Sequence, residues 1–180
     1  MQLDAGQWAH VRGENGAGKT SLLRMLAGLS QPDEGEIRWL GQPIKEARAQ
    51  WHRDLLFLGH QAAIKDEFTP IENLQAASAL DGEPLSDETA LRALVRMGLK
   101  GREHLPARVL SAGQKRRVLL ARMLTRCAKV WVLDEPFTAL DVEAVQALGQ
   151  VVGDHLTQGG IAVLTSHQPI PLAGGQEVRL

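Results

Sequence analysis

Three short stretches of this chain carry side chains suited to phosphate chemistry. GENGAGKT, Gly13–Thr20, has the spacing G-x-x-x-x-G-K-T and lies between an apolar run and a helix-forming one. Gly13, Gly16 and Gly18 let the backbone curl until successive N–H groups converge on phosphate oxygens. Lys19 offers a positive charge to the β- and γ-phosphates of a nucleotide, and Thr20 a hydroxyl to Mg²⁺. VWVLDEP, Val130–Pro136, ends an apolar run in two carboxylates. Asp134 is placed for the metal, and Glu135 has the chemistry to orient or deprotonate an attacking water. LSAGQ, Leu110–Gln114, puts a Ser and a Gly at the start of a helix, which makes a second anion site. A second phosphate site that lacks a ligand of its own implies a pair of chains with nucleotide held between them.

These residues need elements to carry them. Trp8–Arg12 reads as a strand running into the Gly-rich turn, and Lys19–Ala27 as a helix that stops at Gly28. Glu36–Trp39 and Gln42–Ile44 flank Gly41 as a small hairpin, and Leu55–Leu58 is a buried strand. From about Pro70 to Arg126 the pattern becomes helix after helix: Ile71–Ala79, Ser86–Met97 and Ser111–Thr125. Strands return at Val130–Asp134 and Ile161–Ser166, with a helix from Val142 to about Leu156 between them. Short apolar strands alternating with helices indicate a parallel sheet covered on both faces, here with an inserted helical block.

Composition narrows the field. A chain of 180 residues, 44% hydrophobic and 23% charged, fits one ordinary globular domain. Its net charge of -1 gives no long-range attraction for nucleic acid or anionic lipid. There is neither a signal-like leader nor a run of about eighteen apolar residues. Cys127 is the sole cysteine, so no internal disulfide forms; ahead of an apolar strand, it reads as a buried structural thiol. Lys115, Arg116 and Arg117 read as a solvated helix face, and Trp39 and Trp51 as packing residues.

GENGAGKTS, LSAGQ, VLDEP and TSH, in that order over nearly the whole chain, resemble the nucleotide-binding subunits of ATP-binding cassette (ABC) transporters. The resemblance implies an α/β P-loop NTPase fold: a RecA-like parallel-sheet core, an inserted helical subdomain and a reduced N-terminal antiparallel β layer. One domain would span 1–180, with its core at 1–69 and 127–180 and the helical signature subdomain at 70–126. ATP would be cradled by Gly13, Glu14, Asn15, Gly16, Ala17, Gly18, Lys19, Thr20 and Ser21. From the opposite copy, Ser111, the Gly113 backbone, Gln114 and Asp141 would close over the γ-phosphate. Ala112 stands where the family usually has Gly. The resemblance makes Gln61 a ligand of Mg²⁺ and a γ-phosphate sensor, alongside Thr20 and Asp134. His167 would contact the γ-phosphate and fix Glu135 and the water; taken alone, it reads as a turn histidine.

LGHQAAIKDEFTPIENL, LDEPFTALD and SHQP are similar to the branch of this family that serves c-type cytochrome maturation. That similarity implies an ATP-hydrolysing subunit on the cytoplasmic face of the bacterial inner membrane, bound to a polytopic CcmB-like subunit and associated haem-handling proteins. It would drive haem export or release of a haem-loaded chaperone. The residues themselves show no haem site: C-x-x-C-H is missing, and His10, His52, His60, His104 and His155 are dispersed. Ala62, Ala63, Ile64 and Phe68 are either core of the helical block or a groove for a helix of the membrane subunit. Family members usually have more strands before the Gly-rich loop, with an aromatic residue that stacks on adenine. Only twelve residues precede Gly13, and Trp8, their one aromatic, lies within a strand. Either the sequence starts downstream of the family's usual start, which the otherwise exposed sheet edge favours, or the protein lacks part of the antiparallel layer. Two other readings stay open: a subunit of another small-solute or multidrug transporter, and a soluble ATP-switched clamp.

Overall fold

The computed structural model describes residues 1–60 and 63–180. These form two compact units. The first comprises 1–60, 128–136 and 153–180; the second comprises 63–127 and 137–152.

The first unit is built on five parallel strands. They are β1 (Trp8–Arg12), β4 (Leu55–Leu58), β5 (Val130–Leu133), β6 (Ile161–Thr165) and β7 (Gln176–Arg179), in the order β4-β5-β6-β1-β7. The middle strands have helical crossovers and are covered on both faces, so their sequences, VWVL and IAVLT, are apolar without alternation. α1 (Lys19–Leu26) follows β1, and Leu23, with no exposed surface, sits in one cluster with Val11, Val132 and Val163. Gly28, at φ 74°, terminates this helix in the left-handed conformation that glycine adopts without steric cost.

A two-stranded antiparallel sheet, β2 (Arg38–Trp39) and β3 (Gln42–Pro43), is the expected hairpin, shorter than its sequence signal. α2 (Arg48–Asp54) carries no amphipathic repeat that would announce it and buries one large residue, Trp51. The Trp51 indole donates to Leu26 O at 3.1 Å and lies 5.6 Å from the Trp39 ring; both are packing residues as read.

The second unit is helical. α3 (Pro70–Leu80), α4 (Asp87–Arg96) and α5 (Ala112–Thr125) bury Leu74, Leu94, Val118 and Leu120, and a single 3-10 turn covers Ala107–Val109. Their starts are chemically specified. Thr69 with Glu72 and Ser111 with Gln114 form reciprocal capping boxes, and the Ser86 side chain accepts from Thr89 N. Asn73, buried on α3, accepts from Lys65 N at 2.8 Å and donates to Lys65 O and Thr69 O. It therefore holds the segment entering the helix. α6 (Val142–Thr157) starts in this unit and ends in the first.

Two sequence expectations need correction. Cys127 is exposed, because it lies in the turn between α5 and β5 rather than within the apolar strand that follows. The Lys115–Arg117 run is not a solvated face. Arg116 is 5% exposed, Lys115 Nζ reaches Asp66 Oδ1 at 2.5 Å, and Arg117 pairs with Asp141. The apolar packing of α5 draws these cations inward, where Asp66 and Asp141 of the same unit meet Lys115 and Arg117.

Candidate active site

β1 delivers Gly13 to the C-terminal edge of the sheet, and the loop then reverses into α1. Gly16 (φ 85°) and Gly18 (φ 97°) occupy the left-handed region, with Gly18 as the N-cap of α1. A side chain at either position would meet open space but a strained backbone. Lys19 Nζ donates to Gly13 O at 2.8 Å and Glu14 O at 3.0 Å, so the ammonium bridges the loop's own carbonyls. Gly13, Glu14 and Lys19 line one cavity of about 570 Å³ with Ser166 and His167.

Neighbouring strands bring the acidic residues there. Asp134, 3% exposed, follows β5, and its backbone N–H donates to Leu58 O of β4. Thr20 Oγ1 donates to Asp134 Oδ2 at 3.0 Å, so a hydroxyl from α1 and a carboxylate from β5 stand side by side. This oxygen-only pair suits a hard divalent cation that retains much of its water. Thr165, at the end of β6 and fully buried, donates from Oγ1 to Asp134 Oδ1 at 2.8 Å. Thr165 Oγ1 also accepts from Glu135 N at 2.9 Å.

Glu135 is 8% exposed and has φ 50°, a left-handed conformation that costs a non-glycine residue about 1–3 kcal/mol. Its carboxylate turns toward the loop after β6. Oε2 accepts from His167 N at 3.2 Å, and Oε1 lies 3.4 Å from His167 Nε2. The His167 side chain is 58% exposed, so the imidazole reaches solvent while its backbone holds the carboxylate. A buried acid with one exposed basic neighbour can orient a water against a phosphoryl group.

In the second unit Ser111 and Ala112 are exposed at the start of α5. Ser111 Oγ accepts from Gln114 N at 3.2 Å, and Gln114 Oε1 accepts from Ser111 N at 2.9 Å. Gln114 is thereby committed to its own helix end. Gly113 has a constraint of its own: a Cβ there would lie 2.7 Å from Ala139 O. Asp141 caps α6, Oδ1 accepting from Ala144 N at 2.9 Å, while Oδ2 pairs with Arg117.

The ABC transporter family model matches residues 1–138. The chain belongs to the ABC transporter family. It is an ABC ATPase, an ATP-binding subunit. It is 51% identical over its whole length to the cytochrome c biogenesis ATP-binding export protein CcmA of Dechloromonas aromatica, covering 89% of that protein. It is 50% identical to the CcmA of Escherichia coli K12, over 95% of this chain and 81% of the relative. A putative ABC transporter ATP-binding protein from Pyrococcus furiosus superposes with a TM-score of 0.86 at 26% identity, over 100% of this chain and 87% of that one.

Within the first unit the ATPase brings together Gly13–Thr20, Asp134, Glu135 and His167, which the sequence read as one site. Ser111, Gly113, Gln114 and Asp141 lie in the second unit. Gln61 and Ala62 fall outside the described residues. Ala63 is exposed and Ile64 and Phe68 half-buried, so these three are not core of the helical block. Trp8 is buried in β1, donating to Ala173 O at 3.0 Å, and Gly175 packs so close that a Cβ there would lie 2.4 Å from the indole. It is not free to stack on a base, as expected. Among the described residues no helix is long and apolar enough to cross a membrane.

Thr165 is the residue that sequence reading missed. It stands in TSH, a motif read for its histidine alone, and a Thr closing an apolar strand signals nothing by itself. His167 drew attention because it falls just after the expected Ile161–Ser166 strand.

Proposed function

We propose that this ATPase hydrolyses ATP between two head-to-tail copies and thereby powers a haem-handling membrane complex of c-type cytochrome maturation. One observation carries the catalytic part: Glu135, held in a left-handed conformation by Thr165, points its carboxylate at the His167 backbone at the cavity that Lys19 lines. The Gly13–Ser21 loop N–H groups and the N-terminus of α1 bind the phosphates, and Lys19 moves from loop carbonyls onto phosphate oxygens. Thr20 and Asp134 would hold Mg²⁺, with Gln61 completing the set; the ion would neutralise developing phosphate charge. Glu135 orients the water and takes its proton, and the exposed His167 imidazole faces the γ-phosphate.

Ser111, the Gly113 backbone and Asp141 of the second copy would complete the site. The exposure of Ser111 at a capped helix start supports this reading. In domain terms, residues 1–69 and 127–180 act as the ATP-binding core and 70–126 as the signature subdomain. The partner is a CcmB-like polytopic subunit at the cytoplasmic face of the inner membrane, contacted through the Ala63–Phe68 segment. Half identity to two CcmA proteins named for cytochrome c biogenesis supports that assignment.

Glu135→Gln tests the scheme. It is expected to stop phosphate release while ATP binding persists, and to leave an ATP-dependent dimer on size exclusion. Undiminished turnover removes Glu135 as the base. Failure of the wild-type chain to co-purify with a co-expressed CcmB-like subunit counts against the haem assignment alone.

A further inference from the structure

The phosphate cavity has a wall that the nucleotide reading does not use. β1 and β7 run parallel with Arg12 opposite Arg179, and both arginines line the cavity beside Gly13 and Lys19. Glu177, two residues before Arg179 on β7, lies between them. Its Oε1 accepts from Arg12 Nη1 at 3.1 Å and from Arg179 Nε at 3.2 Å. Among the described residues Glu177 is the only acidic partner of either guanidinium. The Arg179 hydrogen bond, joined by that of Arg12, holds the Glu177 carboxyl below the ordinary range despite opposing desolvation, so it stays ionised.

One carboxylate thus tethers two guanidinium groups at a cavity whose other cation, Lys19, already faces phosphate. Arg12 is 57% and Arg179 79% exposed, which leaves most of each guanidinium fork open to a second acceptor. Glu14 also lines the cavity, but it makes no ion pair with either arginine. Two guanidiniums against the one carboxylate they share leave the β1–β7 side of the cavity one net positive, and a nucleoside triphosphate is the multiply charged anion that would use it.

We propose that Arg12 and Arg179 form an additional cationic contact for the nucleotide phosphates and that Glu177 is the positioning residue that restrains them. This rests on the ATP reading above and extends it to residues outside the Gly-rich loop. Two consequences have opposite sign. Removing either arginine weakens ATP binding, whereas neutralising Glu177 frees both guanidiniums and tightens it. A purely structural role for this cluster would make all three substitutions harmful. The backbone pairing of the two strands, including Leu180 N to Arg12 O at 2.9 Å, does not depend on these side chains.

The test is ATP affinity by calorimetry on the full chain in 50 mM and 300 mM NaCl, with Arg12→Gln, Arg179→Gln and Glu177→Gln beside the wild type. Each arginine variant is expected to raise Kd about two- to fivefold at the lower salt, the scale of an exposed charge pair. Glu177→Gln is expected to lower it by a similar factor, and every difference should shrink at the higher salt. Under turnover the arginine variants should raise KM and leave kcat at saturating ATP unchanged. Wild-type-like Kd in both arginine variants overturns the proposal, as does weaker binding by Glu177→Gln. Should the wild type itself bind no ATP, the nucleotide reading falls and this proposal with it.

Discussion

Replacing Thr165 with valine separates the buried scaffold of the site from its chemistry. Valine has nearly the same shape as threonine, so the change removes one hydroxyl without opening a cavity. That hydroxyl has no exposed surface and makes two hydrogen bonds, one accepted from Glu135 N at 2.9 Å and one given to Asp134 Oδ1 at 2.8 Å. A buried neutral hydrogen bond contributes about 1 kcal/mol, and one to a charged group about 1.5–3 kcal/mol. The sum is about 3 kcal/mol, reduced where Asp134 and Glu135 are held by further contacts, so a loss of about 2–3 kcal/mol is expected. At a urea m-value of about 2 kcal/mol/M, the unfolding midpoint should fall by about 1–1.5 M. Glu135 would also lose the contact that holds its backbone at φ 50°, and turnover should drop about tenfold or more as its carboxylate leaves position. Urea unfolding followed by circular dichroism, together with a phosphate-release assay, measures both. Thr165→Ser keeps the hydroxyl and loses a methyl group, so it should cost about 1 kcal/mol and retain most activity. If valine costs no more than serine in either assay, Thr165 does not organise the two carboxylates and the reasoning fails.

Two further outcomes follow from local geometry. Gly113→Ala should lower the urea midpoint by about 0.5–1.5 M, because its Cβ would lie 2.7 Å from the backbone oxygen of Ala139, which cannot rotate away. An unchanged midpoint would mean that the Ala139 turn yields freely. His155 is held neutral: burial lowers its pKa, and hydrogen bonds to Ile161 O and Lys129 O only partly oppose this, while the ring stacks on Trp131 at 3.6 Å. Its folded pKa lies below the unfolded value of 6.5, so its contribution to stability is full above pH 6.5 and is lost as pH falls through the folded pKa. His155→Gln should therefore flatten the decline of the urea midpoint between pH 7 and 5; parallel slopes in the two proteins would refute this.

The elements legible in the sequence were those specified by neighbours along the chain. β1 and β4 match their expected bounds residue for residue, and β5 and β6 each end one residue early. Strands covered on both faces must be continuously apolar, and that pattern cannot be mistaken for a solvated helix. α3, α4 and α5 begin where Thr69, Ser86 and Ser111 can cap them, a preference that acts within three residues. β7, by contrast, reads QEVR, with one apolar side chain on an edge strand, and it exists because β1 offers a free row of backbone partners. α2 likewise forms around a single buried tryptophan, Trp51.

By itself the sequence determined which residues could do phosphate chemistry. Glycine's freedom at positive φ, a lysine and a hydroxyl opening a helix, and carboxylates ending an apolar strand are properties of residue type and spacing. The tertiary structure alone decided which groups hold those residues in place. Thr165 meets Asp134 and Glu135 across a strand pair, with about thirty residues of sequence between them. Glu177 meets Arg12 across another, and Asp66 and Asp141 draw in the cations of α5. Such contacts depend on strand register and helix packing, which arise only when distant segments share one core. No local pattern encodes them.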